Sequence, residues 1–182
     1  MILVRLRDQI VAGLKDAVPA LVEVKAHGGR FDLEAIKACA ARPPAARVAC
    51  LGLRDFTFEG AVCTADSMWA VFIVTADQVG ATRDAVALGL ISAIAPIAPA
   101  NCWTLDREVD GARQIRADNL LSAALDKIGI ALWAVSFIHR VEFDRANIAM
   151  LNDFLRAYIN YDLAPTDGTI EASDHIDLPP VP

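Results

Sequence analysis

Apolar residues recur at steps of three and four along the first turns of the chain. Leu3, Leu6, Ile10 and Leu14 share one face of a helical repeat, and charged residues occupy the other faces. Pro19 ends this pattern, because proline removes a backbone donor and clashes with the preceding turn. The sequence therefore predicts an amphipathic opening helix.

Two short elements follow. Residues 21–24 predict an extended piece, and the His27-Gly28-Gly29-Arg30 segment predicts a turn in which glycine permits a positive φ. The Asp32 carboxylate is placed to accept the first free N–H groups of a second helix. The Pro43-Pro44 pair closes that helix.

Two aliphatic and β-branched segments, 45–53 and 67–75, predict adjacent antiparallel strands. The second contains MWAVFIV, which is apolar on both alternations. Such a strand is covered on both faces by its own subunit, or on one face by a second subunit. The second alternative makes Trp69 and Phe72 candidates for a subunit interface.

A third helix is predicted from Arg83 to Ile94, with Thr82 or Asp84 as its cap and Pro96 as its end. A loop from Pro99 to about Gly111 follows.

The segment from Arg113 to Phe143 predicts two strands, 113–121 and 130–143, joined by a turn at residues 126–129. Large apolar side chains on one face of the final strand fix its register, since a one-residue slip would expose them. This face carries Trp133, Val135, Phe137, Val141 and Phe143.

The order of these elements indicates an α+β fold with helices packed on a mainly antiparallel sheet of about four to five strands. The sequence predicts this domain over residues 1–143 and an acidic C-terminal extension, or arm, over residues 144–182. Residues 146–159 within the arm predict a short helix.

Composition narrows the functional classes. The chain has 182 residues and a net charge of −6, and seven acidic residues against two arginines place −5 of that charge after Phe143. The remainder is nearly neutral without a Lys/Arg cluster, so we expect no nucleic-acid partner. The longest apolar run, 85–100, is interrupted by prolines and shorter than the ~20 residues a bilayer requires, so we expect a soluble protein without a membrane partner. Its opening residues lack the features of a secretory signal.

The four cysteines, Cys39, Cys50, Cys63 and Cys102, match neither a zinc-ligand spacing nor a disulfide framework. We expect buried, reduced thiols.

Candidate chemistry is sparse. His27-Gly28-Gly29 is similar to the oxyanion loop of some hydrolases, but no G-x-S-x-G accompanies it, and an ordinary glycine turn is the favoured interpretation. His27, His139 and His175 form no close ligand pair, and His139 is expected to be a hydrogen-bonded core or rim histidine.

Alternating carboxylates at Asp106, Glu108 and Asp110 suit Ca²⁺ or acid/base chemistry if the segment is extended. A solvated loop or an interface patch is favoured, because arginines nearby can neutralise them. We assign no catalytic, cofactor-binding or metal-binding residue.

The chain resembles the Mu-like prophage family of small tail proteins, which are similar to phage tail terminators. The resemblance rests on IVAGLKDAVPAL, AHGGRFDL, ARVACLGL, RQIRADNLLS and KIGIALWAVSF, which together span most of residues 8–138. It implies an α/β subunit without enzymatic activity that forms a ring, implied to be hexameric, at the end of the tail tube.

The resemblance also implies the partners and the location. These are further copies of the chain, the tail-tube protein and the head–tail connector or neck protein, in the host cytoplasm during assembly and then in the virion tail. The acidic arm extends beyond the minimal family. We expect it to reach a neighbouring subunit through Tyr158, Tyr161, Ile176 and Leu178, so that deleting residues 145–182 weakens assembly.

The alternative is a small cytoplasmic enzyme or ligand-binding module that uses the His27 loop and the Asp106–Asp110 loop. This alternative requires the two loops to converge in one concave pocket.

Overall fold

The structure is a computed structural model that describes residues 1–29, 33–60, 62–99, 101–120, 122–144, 156–161 and 172–177, the last two ranges by their backbone. Contacts divide the chain into two compact units, Met1–Phe143 and Asp144–Pro182. The elements in chain order are α1 (Ile2–Ala17), β1 (Glu23–Ala26), α2 (Leu33–Ala40), β2 (Ala45–Glu59), β3 (Val62–Ala76), α3 (Arg83–Ile94), β4 (Arg113–Asn119), α4 (Ala123–Lys127), β5 (Ile130–Asp144), β6 (Arg156–Tyr161) and β7 (Ala172–Asp177).

The first unit is built on a five-stranded sheet with the order β1-β2-β3-β5-β4. Strand β1 runs parallel to β2, whereas β2 pairs with β3, and β4 with β5, in antiparallel fashion. A mostly antiparallel mixed sheet with packed helices confirms the predicted α+β class.

Two helices carry the features that the sequence predicted for them. The predicted stripe on α1 is confirmed, since Leu6, Ile10 and Leu14 are its buried residues. In α3 the Thr82 hydroxyl accepts a hydrogen bond from the Ala85 N–H at 3.3 Å, which confirms Thr82 as the N-cap.

Strand β3 separates two apolar clusters. Trp69, Val71 and Ile73 belong to the cluster that contains buried residues of α1 and α3. Phe72 belongs to the other, which contains residues of α2 and α4. The first alternative for MWAVFIV, coverage on both faces within the subunit, is therefore what the structure shows.

This burial corrects the interface assignment of Trp69 and Phe72. Their side chains are 1% and 9% exposed, so they pack in the core of the subunit instead of facing a partner. Trp103 is also a core residue, and Trp133 packs partly buried against the first cluster.

The β2–β3 hairpin is longer than predicted. The sequence predicted strands over 45–53 and 67–75, but pairing continues to Glu59 and Val62, with a tight reversal at Gly60, whose φ is 57°. We call residues 54–66 the hairpin extension. Two register shifts, between Cys50 and Gly52 and between Arg54 and Thr57, obscured the alternation that the extension follows.

Three local predictions were wrong in part. The connection before β5 contains helix α4, which Ser122 caps, instead of a simple turn. The extended piece predicted at 21–24 is strand β1, Glu23–Ala26. Residues 156–159, predicted as helix, lie in strand β6, which pairs with β7; residues 146–155 and the proposed Asp32 cap lie outside the described residues.

The four cysteines are free, as expected. Cys39 and Cys63 are buried, but Cys50 and Cys102 are only partly so. Within the described residues, no helix has the length and apolar character needed to cross a membrane.

Two helical glycines give a matched pair of stability predictions. A Cβ at Gly13 would lie 2.8 Å from the Trp103 ring carbons Cε3 and Cζ3, whereas a Cβ at Gly89 meets nothing within 4 Å. We expect Gly13→Ala to lower the free energy of unfolding by about 2 kcal/mol through overpacking. Gly89→Ala should raise it by about 0.5 to 1 kcal/mol, because alanine favours helix. Urea denaturation of both variants measures the two signs, and equal effects would contradict the packing argument.

Candidate functional site

The enzyme hypothesis requires the His27 loop and the 106–110 loop to line a common cleft. Two clefts stand out in the described part of the chain. One, of about 280 Å³, is lined by Val18, Ala20, Pro44, Gln78, Ala85, Val86, Gly89, Leu90 and Ala93. The other, of about 380 Å³, is lined by Gln9, Ala12, Gly13, Asp16, Asn101, Trp103 and Thr104. Neither contains His27 or the acidic residues of the 106–110 loop.

The acidic side chains of that loop serve separate contacts. Glu108 forms an ion pair with Arg5 of α1 at 2.8 Å. Burial raises the pKa of the Cys102 thiol, and the neighbouring Asp106 raises it further, so Cys102 is a poor nucleophile. Among the described residues, no group of three His, Cys, Asp or Glu side chains is placed to hold a metal ion.

His139 is a hydrogen-bonded core histidine, as predicted. Its side chain is fully buried, its Nδ1 lies 2.7 Å from the Asp110 carbonyl oxygen, and its Nε2 lies 2.9 Å from the Trp103 indole nitrogen. Because the indole N–H can only donate, Nε2 accepts and Nδ1 carries the proton. Burial lowers the pKa of His139 against the opposing effect of Asp110, so the ring is neutral at pH 7.

The hairpin extension carries an exposed aromatic face. Phe56 and Phe58 are 51% and 63% exposed, and their rings are stacked with centroids 6.5 Å apart. The Phe143 ring at the end of β5 stacks on Phe56 at 6.3 Å. The three stacked rings, two on the hairpin extension and one on β5, form the aromatic face of the extension.

The opposite face of the extension is polar and centres on Arg140 of β5. One guanidinium nitrogen donates to the Asp55 carbonyl and the Asp66 carboxylate, at 2.8 and 3.1 Å. The other donates to the Thr57 and Thr64 hydroxyls, both at 2.6 Å. Arg140 thus ties both strands of the extension to β5.

Asp66 is the buried acceptor of this cluster. Arg113 of β4 forms an ion pair with it in addition to Arg140. Burial alone would raise the pKa of the Asp66 carboxyl, but the hydrogen bonds from the two arginines outweigh burial and lower it. The carboxylate is therefore ionised at neutral pH and fixes the root of the extension. Asp55, which has a φ of 52° at the bulge, is held there by Arg140.

Strands β1 and β4, at the two ends of the strand order, are poorly suited to pairing with another strand. Strand β1 has only four residues. Strand β4 has a register shift between Arg113 and Arg116, a φ of 52° at Gln114, and exposed charged side chains. Short length, bulges and charge are the features by which sheet edges avoid strand addition.

The remaining interface candidates belong to the C-terminal unit, Asp144–Pro182. Pairing of β6 with β7 places Tyr158 opposite His175, Ala157 opposite Ile176, and Tyr161 opposite Ala172. Since faces alternate along a strand, Tyr161 and Ile176 share one face and Tyr158 lies on the other. Leu178 is outside the described residues.

The sequence reasoning missed Phe56, Phe58 and the Asp66–Arg140 pair. The alternation Phe56-Thr57-Phe58 was a usable strand signal. The ion pair had no such signal, because its partners are 74 positions apart in sequence.

Comparison with models of known protein families and with curated proteins finds no match for this chain.

Proposed function

We propose that the chain is a structural subunit of a phage or prophage tail, a tail terminator or completion protein that forms a ring at the tube end and joins the tail to the head connector. The observation that carries the proposal is the exposed aromatic face of the hairpin extension. The family resemblance of the motifs supports it. Such a subunit assembles in the host cytoplasm and remains in the virion tail.

Two kinds of surface could form the contact between subunits: the edges of the sheet and the exposed aromatic face of the extension. The short strand β1 and the bulged, charged strand β4 disfavour strand addition to either of them. An exposed patch of stacked aromatic rings is the kind of surface that protein interfaces use, because aromatic side chains contribute large contact areas. We assign the aromatic face of the extension to a neighbouring copy in a head-to-tail arrangement, which closes into a ring when its rotation permits.

The net charge gives the assembly a salt dependence. Each chain carries −6, so copies that approach one another repel at low ionic strength. We expect self-association to strengthen between about 50 and 500 mM salt, where the Debye length shortens from roughly 13 to 4 Å. Sedimentation velocity across this range measures the effect. An association that weakens with salt would show that ion pairs hold the copies together instead of apolar contacts.

The C-terminal unit contributes a second contact in this proposal. A two-stranded sheet is marginally stable on its own in water, so β6 and β7 require cover. We propose that a neighbouring molecule covers the face that carries Tyr161 and Ile176. By register, Tyr158 lies on the opposite face.

The test uses the purified full chain and the tail-tube protein encoded beside it, examined by negative-stain electron microscopy. Rings at the tube ends and uniform tube lengths are the expected result. Tubes that continue to grow, with no ring at their ends at any concentration or salt tested, would refute the terminator function. A monomer in the absence of tubes does not count against it, since the tube end can be the template for the ring.

A further inference from the structure

The loop formed by residues 101–107 has a strained backbone at its centre. Trp103 and Thr104 are consecutive non-glycine residues with φ of 53° and 63°. Left-handed geometry at such residues is unfavourable and persists only when the surroundings impose it. We call this segment the Trp103 loop.

Two contacts impose that geometry. The Trp103 ring packs on the bare backbone of Gly13 in α1, where even a methyl group would overlap it. The indole N–H donates to Nε2 of His139 on β5. The buried indole therefore holds the loop against both a helix and the sheet.

We propose that His139 and Trp103 form an acid-sensitive latch, in which a proton on Nε2 of His139 releases the indole of Trp103 and opens the Trp103 loop. The reason is geometric. His139 already donates through Nδ1 to the Asp110 carbonyl, so a second proton must go to Nε2. Protonated Nε2 and the indole N–H are both donors, and they cannot bond to each other.

The surroundings offer the extra charge little compensation. Asp110 is the acidic group that acts on the ring, and it also accepts the Nδ1 bond through its backbone. Strand β3 presents the neutral Ser67, whose hydroxyl donates to the His139 carbonyl and accepts from Trp69. Phe137 packs edge-on against the imidazole. Opening relieves the strain and gives the imidazolium access to water.

The sign and size of the effect follow from linkage. Burial lowers the pKa of His139 in the closed loop, so the open loop binds the proton more readily. The stability of the closed loop is therefore greatest at pH values above 6.5, the ordinary pKa of histidine. It decreases as the pH falls below that value. Each pH unit in that window shifts the equilibrium towards the open loop by up to about tenfold, until the pKa of the closed loop is reached.

The test is hydrogen–deuterium exchange of the full chain at about pH 7.5 and pH 5.5, corrected for intrinsic exchange. Peptides covering residues 101–109 are expected to lose about tenfold in protection at the lower pH, while peptides of β2 and α3 keep theirs. Equal loss in all peptides would mean global destabilisation and overturn the latch. Nitrogen chemical shifts of the imidazole should show the Nδ1-protonated neutral form at pH 7.5, and the other tautomer would overturn it as well.

Two variants sharpen the result. Trp103→Phe keeps a ring over Gly13 but removes the indole donor, so its loop should exchange faster at pH 7.5 and respond less to acid. His139→Gln removes the titrating group and should abolish the response. An unchanged pH response in Trp103→Phe contradicts the proposal even if His139→Gln does not fold. The latch is independent of the proposed tail function, and neither experiment bears on ring formation.

Discussion

Replacing Arg140 by methionine is expected to lower the free energy of unfolding by about 3 kcal/mol. Methionine retains apolar bulk but removes the guanidinium that donates to Asp55, Thr57, Thr64 and Asp66. Removing one partner of a buried charged pair is costly because the other charge keeps its desolvation penalty. The loss stays near the lower end of the usual range, since Arg113 continues to pair with Asp66. Urea denaturation measures the change.

Arg116→Met is the matched control. Arg116 also pairs with an aspartate, Asp118, at 3.0 Å, but the two side chains are 71% and 43% exposed. Exposed pairs contribute little, so this variant should change stability by less than about 0.5 kcal/mol. Similar losses in both variants would show that Arg140 acts only as one more surface charge.

The Arg140 variant also changes the response to acid. The folded state lowers the pKa of Asp66, so the associated stability is complete above the ordinary pKa of 3.8 and is lost as the pH falls below it. Removal of Arg140 should reduce that loss, because the pKa of Asp66 then returns towards its ordinary value. Comparison of unfolding at pH 6 and pH 3 for the two proteins tests the sign.

The sequence predictions were correct for those elements in which local signals and tertiary packing favour the same structure. Helix α3 is a clear case, because Thr82 caps it and its apolar stripe faces the sheet. The hairpin extension was missed because two register shifts interrupt its strand signal. The predicted helix at 156–159 failed because pairing with β7, which is distant in sequence, overrode local propensity.

The candidate functional site could be predicted from the sequence even less well than the fold. An apolar sequence on both faces of a strand predicts that both faces are covered, but it does not predict which part of the protein covers them. Helix α2, through Ile36 and Cys39, belongs to the cluster that covers Phe72, for which the sequence also allowed a second subunit. The hydrogen bonds of Arg140 join residues from three strands, and sequence spacing carries no information on such a cluster.

The double substitution Phe56→Ser and Phe58→Ser is expected to abolish ring formation while the subunit remains folded. Both side chains are more than half exposed, so their removal costs the isolated subunit little beyond the ring stacking with Phe143, about 1 kcal/mol. In a ring, the same loss occurs at every interface. The expected result is tubes without terminal rings and, at salt concentrations where the parent chain self-associates, a sedimentation coefficient that stays that of the monomer.

Val79→Ser with Leu88→Ser is the control for general loss of surface hydrophobicity. Both residues are also exposed, but they lie at and before α3, outside the hairpin extension. This variant should form rings and cap tubes as the unmodified chain does. If the two double variants behave alike, the contact does not depend on the aromatic face. If only the phenylalanine variant fails, and its thermal unfolding stays within a few degrees of the parent, the loss belongs to the interface and not to the fold.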